Sequence, residues 1–304
     1  MNNHVFYSYK IIGLNILCEL PYEIEILKEA EDFLHPLNGD AGNLLVDSDN
    51  TYDLKVRLSK VNELPPAPDD AVFEQGRLYS KKGENVIMHM LKVRNEPPYA
   101  CTVQTAEEYR FDCFYLSGNE SRLQYSRQFS DLIGMETLFL QFKAMMLHAS
   151  FIRWDGQGIL FTAPSGTGKS TQADLWEEYE DAEIINGDCV GLRLQNGLWR
   201  AYGLPYAGSS GIYRNESAPV KAIIVLRQAK ENSIRSIGPT EVLQNIYPEI
   251  YIHRWDRGFA EKSMDLISQL AMKIPFYILE CLPDQEAVNL VRKTVFGEEA
   301  DENG

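Results

Sequence analysis

The stretch Thr-Ala-Pro-Ser-Gly-Thr-Gly-Lys-Ser at residues 162–170 has the residue types and spacing of a site for bound phosphate. Its two glycines let the main chain wrap closely, so that backbone N–H groups can point at an anion. Lys169 supplies a positive charge for the β and γ phosphates, and the Ser170 hydroxyl is a suitable ligand for Mg²⁺. A helix starting near Lys169 would direct its positive end at the same anion. The pattern predicts a site for ATP and Mg²⁺ formed by Ser165, Gly166, Thr167, Gly168, Lys169, Ser170 and Thr171. Ala163 replaces the first glycine of the usual pattern, at a position that enters the turn.

A carboxylate for the metal follows in the sequence. The apolar run at 183–186 predicts a strand, and Asp188 comes directly after it. At the end of such a strand its carboxylate would emerge beside the phosphate loop and hold Mg²⁺, directly or through water. Asn186 is a candidate supporting partner. The alternative is an ordinary turn aspartate after Gly187.

Two further features are candidates for a transfer step. His148 opens the strand before the phosphate loop, and its ordinary pKa of about 6.5 suits a general base. A satisfied core histidine is an equal alternative. The small residues of segment 203–211 indicate either a surface loop or a lid that closes on the phosphate or on its acceptor. Ser209, Ser210 and Arg214 are the lid residues in the second case.

These residues need a framework, and the pattern from residue 148 onward is that of an α/β domain. Strands are predicted at 148–154, 157–163, 182–186, 221–228 and 276–282, with helices at 169–180, 240–247, 260–274 and 284–295. Asn196-Gly197 is a strong signal for a two-residue hairpin turn within 191–203.

The first part of the chain reads differently. Residues 1–126 predict a small, mainly β domain, because short runs such as 53–59 alternate apolar and polar residues. One helix is expected within 21–37. Apolar residues at helical spacing then predict a linking helix over 127–147, the first part of a second domain at 127–304. Its methionines indicate core packing.

Composition excludes several classes of function. A net charge of −15 and a pI near 4.8 disfavour nucleic acid or an anionic membrane as the main partner. We expect a soluble, cytoplasmic protein, since no run of apolar residues is long enough to cross a membrane. The five cysteines are scattered and indicate reduced, buried thiols. The histidines form no pair typical of zinc hydrolases.

The segments LHASFI (147–152), GILFTAPSGTGKSTQADLW (158–176) and INGDCVGLRL (185–194) resemble the HPr kinase/phosphorylase family and its shorter relatives. The resemblance covers roughly residues 145–230 and implies an α/β P-loop kinase core like that of phosphoenolpyruvate carboxykinase. It implies Lys169 and Ser170 for phosphates and metal, Asp188 for one acid of a pair, and His148 for the histidine that opens the strand.

The resemblance also implies a reaction. Such proteins phosphorylate a serine on a protein, on a free amino acid, or on a precursor peptide such as that of a lasso peptide. Gly187 stands where the other acid of the pair would be, and the downstream glycine-rich signature of HPr kinases is absent. The hypothesis is therefore a Mg-ATP-dependent kinase with another hydroxyl acceptor, a peptide, protein or small molecule. The alternatives are a nucleotide-binding recognition or regulatory module, and a plain ATPase.

Overall fold

The computed structural model describes residues 4–37, 52–66, 69, 71–74, 77–82, 86–93, 95–105, 110–206, 208, 210–254 and 256–297. Over these residues the fold is mixed α/β, with two sheets of eight strands each. The chain divides into two compact units, Met1–Gln141 and Phe142–Gly304. The division thus falls later than the expected boundary at residue 126.

The first unit is built on a sheet in the order β1-β2-β3-β8-β7-β6-β5-β4. Its strands are β1 (Val5–Ile11), β2 (Leu14–Leu20), β3 (Leu54–Val61), β4 (Val72–Glu74), β5 (Arg77–Lys82), β6 (Val86–Leu91), β7 (Ala100–Thr105) and β8 (Arg110–Leu116). The alternation in β3 is confirmed, because Leu54, Val56 and Leu58 are all buried. The helix expected within 21–37 is a single turn, α1 (Lys28–Glu31).

The continuous helix predicted over 127–147 is wrong. Two short helices, α2 (Ser126–Ile133) and α3 (Met135–Gln141), are separated by Gly134, whose φ of 72° ends α2 in the left-handed conformation. Met145 and Met146 instead lie in a strand and are both buried. A strand covered on both faces carries apolar residues at consecutive positions, and a helical template matches such a run equally well.

Among the described residues of the second unit, eleven elements correspond to ones predicted from the sequence, the two hairpin strands included, and two do not. Its strands are β9 (Ala144–Trp154), β10 (Gln157–Thr162), β11 (Glu183–Asn186), β12 (Cys189–Gln195), β13 (Leu198–Gly203), β14 (Ser217–Gln228), β15 (Ser233–Ser236) and β16 (Phe276–Cys281). Its helices are α4 (Lys169–Glu180), α5 (Pro239–Ile246), α6 (Arg257–Ala271) and α7 (Gln285–Phe296), with a 3-10 turn at Tyr247–Glu249. The hairpin about Asn196-Gly197 is confirmed as β12 and β13. The short edge strand β15 was not expected.

Two long strands organise this sheet, whose order is β10-β9-β12-β13-β14-β16-β15 with β11 added on β9. The first half of β9 pairs with β12 and its second half with β10 and β11. Strand β14 likewise pairs with β13, β10 and β16 along its length. Helices α4 and α7 pack on this sheet, and Trp176 of α4 is fully buried in the same apolar cluster as Ile159, Phe161 and Ile224. This packing fixes the start of α4 relative to the ends of the strands.

Among the described residues, no helix combines the length and the apolar character that crossing a bilayer requires.

Candidate functional site

The register of β9 brings the predicted site residues together. His148 is the last residue of β9 opposite β12, where it faces Cys189, and Ala149 is the first opposite β10, where it faces Thr162. The glycine-rich loop 163–168 leaves β10 directly after Thr162, and Asp188 directly precedes Cys189. Both segments therefore converge on the point where β9 changes partners. A hydrogen bond from Ala149 N to Asp188 O, 3.1 Å, holds this junction.

The loop between Thr162 and α4 contains two glycines in left-handed backbone conformations. Gly166 has φ 80° and Gly168 has φ 114°, conformations that cost other residues strain. A Cβ built at either position meets no atom within 4 Å, so the space over the loop is open. Helix α4 starts at Lys169, with Ser165, Ser170 and Thr171 exposed around it. Unpaired N–H groups of a helix start attract anions.

Lys169, at the end of this loop, is a buried charged residue with an exposure of only 7 %. Its Nζ donates hydrogen bonds to the carbonyl oxygens of Ala163 (2.9 Å) and Pro164 (3.5 Å). Burial lowers the pKa of Lys169, while the negative charges of Glu249 and Asp188 act in the opposite direction. The Ser150 hydroxyl donates to the Lys169 carbonyl oxygen at 2.9 Å and fixes the helix start against β9. The ammonium group is therefore held by the loop and close to two carboxylates.

Asn186 shapes the turn that carries Asp188. Its side chain is fully buried, and its Oδ1 accepts hydrogen bonds from the backbone N of Asp188 and of Cys189, both 2.9 Å. Its Nδ2 donates to the carbonyl oxygens of Leu204 (2.9 Å) and Tyr206 (3.1 Å). The Asn186 side chain thus links the backbone of the Asp188 turn to the backbone of residues 204–206. The Asp188 carboxylate, in contrast, remains 36 % exposed.

His148 lies between two carboxylates. Its Nδ1 is 2.8 Å from Glu249 Oε2, and its Nε2 is 3.5 Å from Asp188 Oδ1. The pKa of His148 is raised: Asp188 raises it most, partial burial opposes this, and Glu249 raises it further. Its ring is therefore a partly buried ionisable group with a carboxylate beside each nitrogen.

Glu249 was not predicted from the sequence, and no motif marks it. It ends the 3-10 turn after α5, 101 residues from His148 along the chain. Its side chain is only 11 % exposed. Only the pairing of the next residue with β9 reveals its place, because Ile250 forms a bridge with Leu147.

The predicted lid segment packs on the Asp188 turn. A Cβ built on Gly208 would lie 2.5 Å from the Asp188 Cγ, and a Cβ on Gly187 would overlap the Ser210 side chain. Ser209 lies outside the described residues. Arg214 lies beside Glu183 at the other end of β11, with Nη1 3.8 Å from the Glu183 carboxylate. Ser210 is thus close to the Asp188 turn, while Arg214 is placed elsewhere.

Two oxygen-bearing side chains near the loop are of the kind that Mg²⁺ takes as ligands. Within the described residues no group of three histidine, cysteine or acidic side chains is arranged to hold a metal ion. Mg²⁺ is usually held by one or two carboxylates or hydroxyls, by water and by substrate phosphates. The exposed Asp188 carboxylate and Ser170 hydroxyl are hard oxygen ligands of this kind. The residues present are compatible with the predicted Mg²⁺.

Comparisons with known proteins give one family and a distant structural likeness. No curated protein matches the sequence. The solved structure of the Hpr(Ser) kinase/phosphatase from Coxiella burnetii is similar over 49 % of this chain and 89 % of that chain, at 14 % identity and a TM-score of 0.30. A family model described as SynChlorMet cassette protein ScmC matches residues 132–283, half of the chain, and the chain therefore belongs to this family.

Proposed function

We propose that this protein is an ATP-dependent phosphotransferase that transfers the γ phosphate to a hydroxyl, with serine as the preferred acceptor. The observation that supports this most is the convergence of the loop carrying Lys169 with His148 and Asp188 at one point of β9. A phosphate-binding loop alone would serve any nucleotide-binding protein. An ionisable pair beside it supplies groups that a transfer to a hydroxyl needs.

Phosphate binding is assigned to the loop and the start of α4. Backbone N–H groups near Gly166 and Gly168 would surround the phosphates, and Lys169 would donate to them in place of the carbonyl oxygens of Ala163 and Pro164. Ser170 and Asp188 would hold Mg²⁺, which supplies neutralisation of the charge on the phosphates.

The acceptor hydroxyl must lose its proton during the transfer. Two groups next to the loop are able to take it, His148 Nε2 and the Asp188 carboxylate. Positioning and charge stabilisation supply most of the rate in phosphoryl transfer, so a single carboxylate at 188 with glycine at 187 is sufficient. The acidic composition favours a peptide, a protein or a small molecule as the acceptor rather than nucleic acid.

One specific feature supports a second candidate, a module that binds nucleotide without efficient transfer. Glycine stands at 187 where a second acid would be, and the Ser210 side chain fills the space beside it. A plain ATPase, in which water takes the phosphate, is the third candidate.

Labelled ATP separates the three. The protein is incubated with Mg²⁺ and γ-labelled ATP, with and without free serine and a library of serine-containing peptides. Label on an acceptor supports the kinase, label released only as free phosphate identifies an ATPase, and bound but unreacted nucleotide identifies a module. The last two outcomes contradict the proposal.

Two variants test the assigned residues. Because a hydrogen bond to a charged group contributes about 1.5–3 kcal/mol, Lys169→Ala should weaken ATP binding by roughly 10- to 150-fold. Asp188→Ala should remove turnover more completely than nucleotide binding. Lys230→Ala and Asp174→Ala, changes at exposed positions of the same unit, are matched controls. Full activity of Asp188→Ala would exclude its role with the metal.

A further inference from the structure

The position of Glu249 is fixed by the strand that carries His148. After α5 and the 3-10 turn, the chain returns to β9, where Ile250 forms a bridge with Leu147 and Tyr251 N donates to Met146 O at 3.1 Å. Ile246 and Ile250, on either side of the turn, are buried. The backbone around Glu249 is thus anchored to the residues that immediately precede His148.

The two carboxylates next to His148 are not equivalent. Glu249 Oε2 is 2.8 Å from Nδ1, a full hydrogen bond, and its side chain is largely buried. Asp188 Oδ1 is 3.5 Å from Nε2 and is more exposed to water. An ionised carboxylate can only accept hydrogen bonds. With an ionised Glu249, this short contact is a hydrogen bond only when Nδ1 carries the hydrogen.

The neutral ring carries one hydrogen, for which the two carboxylates compete. If Asp188 were the only partner, the hydrogen would lie on Nε2 and that nitrogen could accept nothing. The contact to Glu249 is shorter and more buried, so it favours the Nδ1–H form and leaves the lone pair on Nε2.

We propose that Glu249 is a positioning residue: it holds the imidazole of His148 with the hydrogen on Nδ1, so that Nε2 takes the proton of the acceptor hydroxyl. This rests on the proposed function. As the hydroxyl O–H bond breaks, its proton passes to Nε2 and its oxygen forms a bond to the γ phosphorus of ATP. The bond from that phosphorus to the bridging oxygen breaks, and its electron pair leaves with ADP. The resulting imidazolium donates to Glu249 and faces Asp188 until its proton passes to water.

The first test reads the ring itself in the ligand-free protein. Long-range proton–nitrogen NMR distinguishes a protonated from an unprotonated ring nitrogen, and His148→Gln assigns the signals. Above the pH at which the ring becomes neutral, we expect hydrogen on Nδ1 in the wild type and on Nε2 in Glu249→Leu. Glu249→Gln retains an oxygen that accepts from Nδ1 and should keep the wild-type form. Glu241→Leu removes an exposed glutamate that pairs with Arg235 and is the matched control.

The second test is kinetic. A general base contributes about 100-fold or more to the rate, so Glu249→Leu should lower kcat by about 100-fold with little change in KM for ATP. Glu249→Gln should recover most of this loss. A purely structural role would lower the amount of folded protein and leave kcat per folded molecule unchanged, which would overturn the proposal.

The two tests separate this inference from the proposed function. Hydrogen on Nε2 in the wild type, or an unchanged ring in Glu249→Leu, overturns the inference even if the protein is an active kinase. The expected change of ring form in a protein that transfers no phosphate would support the positioning by Glu249 and refute the kinase.

Discussion

Gly187 provides a sharp test of how the site is packed. A Cβ at this position would lie 2.6 Å from the Ser210 Cβ, and closer still to its Oγ. Ordinary carbon–carbon contacts are about 3.5–4.0 Å, so Gly187→Ala must push Ser210 away by about 1 Å. Insertions of this size into packed sites typically cost about 1–3 kcal/mol. We expect Gly187→Ala to lower the free energy of unfolding by an amount in this range.

Both overlapping atoms belong to one side chain, which allows a double-mutant cycle. Ser210→Gly removes them and loses the hydrogen bond that Ser210 Oγ accepts from Ile212 N, 3.3 Å. The double-mutant cycle removes the cost of this lost hydrogen bond, because Ser210→Gly is also measured alone. We therefore expect Gly187→Ala to cost about 1–3 kcal/mol less in the Ser210→Gly background than in the wild type.

The assay is urea unfolding followed by tryptophan fluorescence. All four tryptophans lie between residues 154 and 255, so the signal reports the second unit alone. Gly238→Ala is the control for replacing glycine itself, because a Cβ there meets no atom within 4 Å. A coupling energy below about 0.5 kcal/mol would refute the argument that Ser210 requires glycine at 187.

Two further predictions concern titrating groups. Burial raises the pKa of Cys101 and of Cys113 to about 12, and it also raises the pKa of Cys18 and Cys281. A thiol reagent at neutral pH should therefore react slowly with the native protein and should modify all five cysteines once the protein is unfolded. Rapid modification of Cys101 or Cys113 in the folded protein would contradict this burial. The pKa of His148 is raised in the folded protein, so its charge stabilises the fold below its ordinary value of about 6.5 and this contribution is lost as the pH rises through the folded pKa. The free energy of unfolding, measured with urea, should therefore differ more between wild type and His148→Gln at about pH 6 than at about pH 9. The opposite trend would show that the two carboxylates do not stabilise the imidazolium.

Local patterns were sufficient where neighbours in sequence decide the structure. The glycines at 166 and 168, the helix that begins at Lys169 and the turn at Asn196-Gly197 are each specified within a few residues. Gly166 and Gly168 adopt positive φ angles that disfavour other residues. The sequence therefore predicted the glycine-rich turn before α4 and the β12–β13 hairpin with their correct elements, whereas phosphate binding by that turn stays a prediction.

Patterns failed where burial on both faces removes the periodic signal. Met145 and Met146 were predicted in a helix but lie in β9, since consecutive apolar residues fit both templates. The short strand β15 carries little apolar character and is defined by its pairing with β16. Such elements are decided by the strands beside them.

The sequence by itself determined the loop that could bind phosphate and the acid and histidine near it in the chain order. Only the tertiary structure decided what surrounds them: Glu249 beside His148, Asn186 across two loops, and Ser210 in the space next to Gly187. The physical reason is the separation along the chain between the residues that interact. Backbone conformation is set largely by sequence neighbours, whereas a hydrogen bond between residues 101 positions apart exists only after the strands have paired.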